Sequence, residues 1–395
     1  MFISYTMVKL NKLIKPKLMK FIIVINILLI ILFSIYYFIT IGYNLNFKQS
    51  FGYFSQKNSI NNKLTSNQLK LLYEIRERVK KSDEYLNNLS KSLKKRNDSK
   101  LIYPNVLMGM TSIKINHMNC SEEFGRDLLL VVLIFTRVDA FDRRQLIRET
   151  WGQDIKSDPR SRLYFATGLS RDPMVEKELR EENEKFNDIL QFGYYENYFN
   201  CTMKATALLR WTAISCPFVK FMLKVDDDSL VLPKNLLKFC EETEPDSIYG
   251  WLCAKPYSDV IRDPLKFKWY ITIEDYPDEY YPDYMAGSYL IPGGYTPLLY
   301  ETAVNECLPA FPLEDVYITG IVAEKAGVKR SRLSTILITD KECHPVINLD
   351  YCYYENYTII EEGFNNETLR EVWKIYKNGE FCQSKGVLRC WEVPK

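Results

Sequence analysis

Signatures of zinc binding and nucleic-acid binding are missing from this 395-residue sequence. None of the ten cysteines stands in a CxxC pair, so a zinc–thiolate site is not indicated. The net charge is only +2, and lysines in the first 20 residues supply all of it, so no basic patch points to nucleic acid. Apolar residues make up 47%, which is enough for a substantial core and excludes wholesale disorder.

Acidic residues are absent before Glu74, and residues 21–41 carry no charge at all. This run is long enough to span a bilayer as a helix, too long for a signal-peptide core, and not followed by a small-residue cleavage site. Five lysines precede it: Lys9, Lys12, Lys15, Lys17 and Lys20. The positive-inside rule therefore predicts a cytosolic tail (1–20), a signal-anchor (21–41) and a lumenal remainder, the type II topology of a single-pass membrane protein.

Cysteines and glycosylation sequons occur only after the predicted anchor, as expected of a lumenal chain in which disulfides form. The cysteine spacing leaves the disulfide pairing open. The six N-x-S/T sequons are predicted glycosylation sites: Asn88, Asn97, Asn119, Asn200, Asn356 and Asn366.

Residues 42–124 are predicted to form a stem, because they are rich in Asn, Lys and Ser and lack strand-like apolar runs. Within this stem, residues 72–93 carry an a/d heptad seam, which consists of Leu72, Ile75, Val79, Ser82, Leu86, Leu89 and Leu93. Two interpretations stay open. The seam forms a short coiled coil that makes a homodimer, or it is the apolar face of a single helix packed on the lumenal domain.

Residues 125–395 have the pattern of an α/β domain. Residues 128–136 form a continuous apolar run, typical of a strand buried on both faces of a largely parallel sheet. Strand and helix patterns then alternate as far as a further apolar strand at residues 218–225, which runs directly into Asp226, Asp227 and Asp228. Ligands of such sheets gather at the carboxyl ends of the strands, where this acidic triplet lies.

Three consecutive carboxylates repel one another unless something positive neutralises them. A hard divalent cation such as Mg²⁺ or Mn²⁺ does this and can also bind a diphosphate. On an extended segment Asp226 and Asp228 point to the same side, so both can face one metal. The alternative is a solvated acidic turn, but the buried strand before the triplet favours the metal.

Four sequence blocks carry a resemblance to a known family. They are residues 143–152 (RRQLIRETWG), residues 188–204 (beginning DILQ and ending YFNCTMK), residues 281–289 (YPDYMAGSY) and residues 314–320 (EDVYITG). In this order and spacing they resemble the RxxIRxTW, D-I-[IL]-Q…YxNLTxK, YPxYxxG and EDVYxxG motifs of the β-1,3-galactosyltransferase and β-1,3-N-acetylglucosaminyltransferase family. The resemblance covers about residues 125–375.

The resemblance implies a GT-A nucleotide-sugar-binding fold with a mostly parallel central sheet, an inverting mechanism, a UDP-sugar donor and Mn²⁺, with Mg²⁺ as the alternative. It implies that Asp228 is the principal metal ligand, that Asp226 assists it, and that Asp227 lies on the donor side. Asp315 matches the family's base, which deprotonates the acceptor hydroxyl. Glu314 beside it is a candidate for acceptor binding. Both acids also suit a helix N-terminus.

Further basic and aromatic residues are candidates for substrate binding, each with a structural alternative. Arg144 and Arg148 lie four apart on a predicted helix, and we expect one of them to meet a donor phosphate or anchor the donor loop. A structural ion pair is the alternative, favoured for Arg148. Lys224 is a candidate for donor binding, and its alternatives are to balance the charge of the triplet or to point outward from the strand. Trp269 and Tyr281 stack on the acceptor sugar or pack in the core.

The sequence departs from the family pattern near its C-terminus. Many relatives carry a histidine about eleven residues before a tryptophan that matches Trp373, and that histidine completes the metal site. This chain has Glu362 there, and its only histidines, His117 and His344, do not align. Glutamate is also an oxygen ligand for Mn²⁺, so Glu362 is a candidate third ligand.

Together these features predict a Golgi enzyme that transfers galactose or N-acetylglucosamine from a UDP-sugar to a glycan on a glycoprotein or glycolipid, in β-1,3 linkage. The alternative from another class is a non-catalytic, glycosyltransferase-like binding protein of the secretory pathway.

Overall fold

The computed structural model describes residues 65–96, 113–115, 119–266, 268–306, 311–338, 356–361 and 363–378, without the side chains of residues 85–96, Ile113, Phe199 and Glu306. The predicted cytosolic tail and signal-anchor lie outside these ranges. In the ranges themselves, no helix has the length and apolar character needed to cross a membrane. The anchor at residues 21–41 therefore stays a prediction.

The described part of the chain contains strands and helices in alternation. The strands are β1 Ile113–Ile115, β2 Leu130–Phe135, β3 Ser161–Leu169, β4 Ile189–Tyr195, β5 Phe221–Asp226, β6 Ser229–Val231, β7 Ile248–Cys253, β8 Tyr284–Pro292, β9 Arg330–Arg332, β10 Ile336–Ile338 and β11 Ile359–Glu361. The α-helices are α1 Ser66–Arg96, α2 Phe141–Glu149, α3 Trp151–Ser157, α4 Pro173–Phe186, α5 Cys201–Ser215, α6 Pro233–Glu242, α7 Thr296–Glu306, α8 Ala323–Lys325 and α9 Asn366–Asn378. A π-helix, Val316–Val322, precedes α8.

The central sheet is mixed, in the order β1-β4-β3-β2-β5-β8-β7-β9. Its middle strands β4, β3, β2 and β5 are parallel, as the apolar strand patterns predicted, whereas β8 pairs antiparallel with both β5 and β7. A second, small sheet has the order β10-β11-β6. The carboxyl ends of the parallel strands share one edge, and the small sheet begins there because β6 follows β5 after a two-residue turn.

The position of β2 between two core layers explains why its sequence is continuously apolar. Leu130, Val132 and Ile134 belong to one core layer, together with α2, α3 and α9. Val131 and Leu133 belong to the opposite layer, which includes most of α5. Alternate side chains of one strand therefore enter two hydrophobic layers, and a strand of this kind has no polar face.

Local signals set several helix boundaries. Helix α4 begins with Pro173, and the carboxylate of Asp172 before it accepts a hydrogen bond from the Met174 N–H at 2.8 Å. The helix ends at Phe186, and the next residue, Asn187, has a left-handed φ of 52°. The predicted helix that carries Arg144 and Arg148 is α2, and a second helix, α3, begins directly after Thr150, whose hydroxyl donates to the Leu146 carbonyl at 2.7 Å.

Helix α1 of the predicted stem packs on the domain that follows it. The seam residues Leu72, Ile75, Val79 and Ser82 are buried, and α1 lies against α5 and α7. Asp83 on the same face accepts hydrogen bonds from the Arg210 guanidinium at 2.8 Å and from the Tyr300 hydroxyl at 2.6 Å.

The packing of α1 therefore agrees with the second interpretation that the sequence left open, in which the seam is the apolar face of a single helix packed on its own domain. The described half of the seam is covered by its own domain, so the homodimer expected through this stem is not supported there. A heptad seam specifies an apolar partner but does not say which one. The last part of the predicted stem is joined covalently to the domain, because Cys120 forms a disulfide with Cys216, the residue after α5.

Candidate active site

The acidic triplet lies at the carboxyl end of β5, as predicted, but its backbone differs from the extended segment expected. Asp226 is the last residue of β5, and Asp227 and Asp228 form the turn into β6. Asp226 and Asp227 are half-buried, whereas Asp228 is exposed. The chain turns here because β6 leaves the central sheet and pairs with β11 instead.

Burial and mutual repulsion act on the triplet. Desolvation is the largest effect on Asp227 and raises the pKa of its carboxyl to about 6, against a hydrogen bond from the Thr136 side chain. At Asp228, desolvation and then the charge of Asp226 raise the pKa of the carboxyl. A bound cation stabilises the charged form of carboxylates that are desolvated and repel one another.

The donor set of the triplet fits Mg²⁺ or Mn²⁺ when substrate supplies further ligands. Mg²⁺ is usually held by one or two carboxylates together with phosphates and waters, and Asp226 and Asp228 could provide these two. Within the described ranges, no group of three or more His, Cys, Asp or Glu residues could hold a metal ion. Glu362, the candidate third ligand, lies outside those ranges.

Lys224 is the buried counter-charge of the site. Its ammonium lies 2.6 Å from Glu314 Oε1 and 3.1 Å from Asp226 Oδ1, and it donates to the Gly287 carbonyl at 3.3 Å. Glu314 also accepts a hydrogen bond from the Tyr289 hydroxyl at 2.8 Å. Burial is the main effect on Glu314 and raises its pKa to about 7.

These contacts correct two expectations from the sequence. Neither Lys224 nor Glu314 is exposed to a substrate, because their charged groups are buried and occupied by each other. Lys224 balances the charge of the triplet, which was the structural alternative for it. Glu314 is the partner of Lys224 rather than an acceptor-binding residue.

Asp315 lies immediately before the π-helix and is half-buried. Its carboxylate accepts a hydrogen bond from the Val316 N–H at 2.8 Å. Burial raises its pKa, whereas Lys224 and the N–H groups of Val316 and Gly287 lower it, and the net direction is upward. Asp226 and Lys224 both act electrostatically on Asp315, so the triplet and the predicted base belong to one site.

Strand β8 approaches this site through a bulge that sequence reasoning did not identify. Gly287 and Ser288 have no partner on β7, because Gly250 pairs with Tyr289 and Trp251 pairs with Ala286. The Ser288 N–H donates to Glu361 Oε1 at 2.5 Å. Gly287 has a φ of +68°, and a Cβ there would overlap the carboxylate of Glu361.

Glu361 was also missed. It is the last residue of β11 and pairs with Ser229, the residue after the triplet. Desolvation raises its pKa to about 7, and Asp226 contributes to the same shift. The glycine of the third motif was the one available signal, because it marks a close approach of the backbone.

Arg144 and Arg148 of α2 both form buried ion pairs. Arg144 pairs with Glu182 at 2.6 Å and donates to the carbonyls of Arg137 and Val138. Arg148 pairs with Glu182 at 2.7 Å and with Asp188 at 2.8 Å.

The expectation that one of these two arginines contacts a donor phosphate is thus not met, because carboxylates and carbonyls occupy both guanidinium groups. Arg144 does hold the loop after β2 through its two carbonyl contacts. Arg148 forms a structural ion pair, which was the alternative favoured for it in the sequence.

The two aromatic candidates for acceptor binding have different environments. Tyr281 is buried between Tyr276, Tyr284 and Phe311, so core packing describes it and acceptor stacking does not. Trp269 is 49% exposed in the long segment between β7 and β8, where it stays a candidate for sugar stacking.

Four of the six sequon asparagines lie in the ranges with described side chains. Asn356 is exposed, whereas Asn119, Asn200 and Asn366 are half-buried. The Asn200 amide donates to the Tyr195 carbonyl at 2.8 Å. Asn88 and Asn97 lie outside these ranges, and glycosylation of the six stays a prediction.

Comparison with known proteins confirms the resemblance that the motifs indicated. Residues 142–334 match the family model described as Galactosyltransferase. Beta-1,3-galactosyltransferase 1 of Homo sapiens is 33% identical over 205 residues, which are 50% of this chain and 61% of that protein. Beta-1,3-galactosyltransferase brn of Drosophila melanogaster is 35% identical over 208 residues, with the same coverage of 50% and 61%.

A third relative is named for a different activity. It is the acetylgalactosaminyl-O-glycosyl-glycoprotein beta-1,3-N-acetylglucosaminyltransferase of Mus musculus, 30% identical over 264 residues, which are 64% of this chain and 66% of that protein. The matched part of this chain thus spans about three fifths to two thirds of the length of these relatives.

Solved structures similar to this chain include two glycosyltransferases. One is the galactosyltransferase LgtC in complex with donor and acceptor sugar analogs, with a TM-score of 0.35 and 11% identity, covering 62% of this chain and 95% of that chain. The other is a glycosyltransferase involved in glycosylation of the major capsid of PBCV-1, with a TM-score of 0.36 and 12% identity, covering 62% and 98%. These scores are too low to transfer any residue role.

Proposed function

We propose that this chain, in which residues 142–334 form a galactosyltransferase-family domain, is an inverting hexosyltransferase with a GT-A type of sheet. It moves galactose or N-acetylglucosamine from a UDP-sugar to a glycan on a glycoprotein or glycolipid in β-1,3 linkage. The relatives named as β-1,3-galactosyltransferases and as a β-1,3-N-acetylglucosaminyltransferase support this choice of sugars and linkage.

One observation carries the proposal. The contact of Lys224 with Glu314 joins the strand that ends in the triplet to the residue before Asp315. The carboxylates suited to a metal and the carboxylate suited to a base therefore belong to one site, at the carboxyl end of the parallel strands. An inverting transfer in one step needs this combination, because the nucleophile is activated as the leaving group departs.

In the proposed reaction, the acceptor hydroxyl gives its proton to the Asp315 carboxylate while its oxygen attacks the anomeric carbon. The bond between that carbon and the β-phosphate oxygen breaks, and its electron pair leaves with UDP. Asp226 and Asp228 would hold Mn²⁺ or Mg²⁺, which when bound neutralises the charge of the leaving UDP. Asp227 lies on the donor side of the same turn.

The test uses full-length protein, purified in detergent, with UDP-galactose or UDP-N-acetylglucosamine and a panel of glycan acceptors. Asp315→Asn keeps the size of the side chain but removes the base, so we expect transfer to fall by at least about 100-fold while UDP binding is retained. Equal transfer by both proteins would disprove the role of Asp315. If the wild type binds UDP-sugar without transferring or hydrolysing it, the chain is a non-catalytic binding protein.

A second experiment tests the metal. Calorimetry with UDP should show binding that depends on Mn²⁺ in the wild type and loses this dependence in Asp228→Ala. Full Mn²⁺-dependent binding by the variant would disprove the assignment of Asp228.

We also propose that the protein is anchored in the Golgi membrane by residues 21–41, with the enzymatic domain in the lumen. The uncharged run and the lysines before it support this topology. Co-localisation with Golgi markers and protection of the C-terminal part from protease in sealed vesicles are the expected results. Cleavage of that part in sealed vesicles would disprove the topology.

A further inference from the structure

Arg143 lies on the same helix as Arg144 and Arg148. One nitrogen of its guanidinium group, beside the acidic triplet, lacks a hydrogen-bond partner within the described ranges. Arg143 belongs to α2, which follows the carboxyl end of β2. Its Nη2 donates to the Phe364 carbonyl at 2.6 Å. Its Nη1 is buried and has no hydrogen-bond partner within the described ranges. A buried guanidinium N–H without an acceptor is unfavourable, so an anionic or polar ligand that accepts its hydrogen bond would be stabilising.

The contacts of Phe364 place Arg143 at the triplet. The Phe364 N–H donates to the Asp228 carbonyl at 2.9 Å, and a Cβ at Gly363 would lie 3.7 Å from Asp228 Oδ2. The positive charge of Arg143 also opposes the rise in the pKa of Asp227 and Asp228, in which desolvation is the largest cause. Arg143 thus joins α2 to the segment before α9, directly beside the turn that carries the carboxylates.

Three other cations near this edge already have acidic partners. Lys224 is paired with Glu314 and Asp226, and Arg144 is paired with Glu182. Arg137 is exposed and makes two hydrogen bonds to Asp139. Arg143 has no ion pair to a carboxylate in the part of the chain that the structure describes, so its charge is available to a ligand.

We propose that Arg143 binds the diphosphate of the donor nucleotide through Nη1 while Nη2 keeps its bond to Phe364, an inference that rests on the proposed function. A guanidinium presents several N–H donors in a fixed plane and is well suited to phosphate oxygens. Because one side chain contacts both groups, donor binding stabilises the docking of residues 363–365 against the triplet. Arg143 is therefore the phosphate-binding arginine of its helix, and Arg144 and Arg148 maintain the fold.

The experiment compares UDP with uridine, because only UDP carries the diphosphate. Binding of each is measured by calorimetry in the presence of Mn²⁺, with full-length wild type, Arg143→Met and Arg143→Lys. The matched control is Arg370→Met. Arg370 joins α9 to the same helix α2 through a surface ion pair with Glu149 at 3.6 Å, away from the triplet.

We expect Arg143→Met to weaken UDP binding at least tenfold and to change uridine binding less than twofold. Arg143→Lys keeps a positive charge but loses the planar donors, so it should bind UDP with intermediate affinity. Arg370→Met should bind both ligands like the wild type.

Two results would overturn the inference while leaving the proposed function intact. The first is wild-type UDP affinity in Arg143→Met. The second is an equal loss of UDP and uridine binding in Arg143→Met and Arg143→Lys, which would assign Arg143 to the fold alone. If the wild type itself binds no UDP, the proposed function fails, and the inference fails with it.

Discussion

The ammonium of Lys224 lies 2.6 Å from the carboxylate of Glu314, and both side chains are almost completely buried. One comes from the central strand β5 and the other from the helical residues just before the π-helix, so the pair forms only when the domain is folded. The pair keeps two charged groups inside the protein. It also holds the strand that leads to the acidic triplet against the segment that carries Asp315.

The first prediction concerns this pair. Lys224→Met leaves Glu314 buried without its counter-charge, and breaking such a pair typically costs about 3–5 kcal/mol. We expect a loss of about 3 kcal/mol in the free energy of unfolding, because protonation of Glu314 offsets part of the cost. Denaturant unfolding measures this loss. The double variant with Glu314→Gln should recover part of it, and strictly additive losses would contradict the pairing.

The second prediction concerns the bulge of β8. Gly287→Ala places a side chain at a φ of +68° and against the Glu361 carboxylate. The left-handed conformation alone costs about 1–2 kcal/mol, so we expect a total loss of at least about 2 kcal/mol in unfolding free energy. Gly294→Ala is the matched control, because a Cβ there would have no neighbour within 4 Å. Equal stabilities of the two variants would contradict the close approach.

The third prediction concerns pH. Asp315 must be deprotonated to accept the proton of the acceptor, and burial raises the pKa of its carboxyl above the ordinary aspartate value. As pH falls, kcat should therefore decrease at a pH above about 3.9, the value for a solvated aspartate. The profile of kcat against pH, with saturating donor and Mn²⁺, measures this limb. Activity that persists unchanged down to that pH would contradict the role of Asp315 in this environment.

The fourth prediction concerns the stem helix. Asp83→Ala removes the carboxylate that pairs with Arg210 and accepts from Tyr300, and it leaves a mostly buried guanidinium without its partner. We expect the free energy of unfolding to fall by about 2 kcal/mol. Glu84→Ala, at the exposed neighbouring position, should change it by less than about 0.5 kcal/mol. A loss of dimer with unchanged stability of the monomer would instead support the coiled coil.

The sequence determined the features that depend on local pattern. The apolar run at residues 128–136 predicted a doubly buried strand, and β2 lies within it as Leu130–Phe135. The second apolar strand predicted that the triplet stands at a carboxyl end, as it does after β5. These predictions are reliable because burial on both faces of a parallel sheet requires consecutive apolar residues. The four motifs likewise indicated the family, because each is a short string that needs no three-dimensional information.

The tertiary structure alone decided which partner each charged residue has. Arg143, Arg144 and Arg148 stand within six residues on one helix, yet two are occupied by the carboxylates of Glu182 and Asp188, and one lies beside the triplet. Glu314 and Lys224 were expected at the substrate and instead neutralise each other. The seam of α1 was compatible with a second chain or with its own domain, and the packing against α5 and α7 selected the domain. In each case the residue type specifies the kind of partner, whereas its identity depends on contacts between segments far apart in the chain.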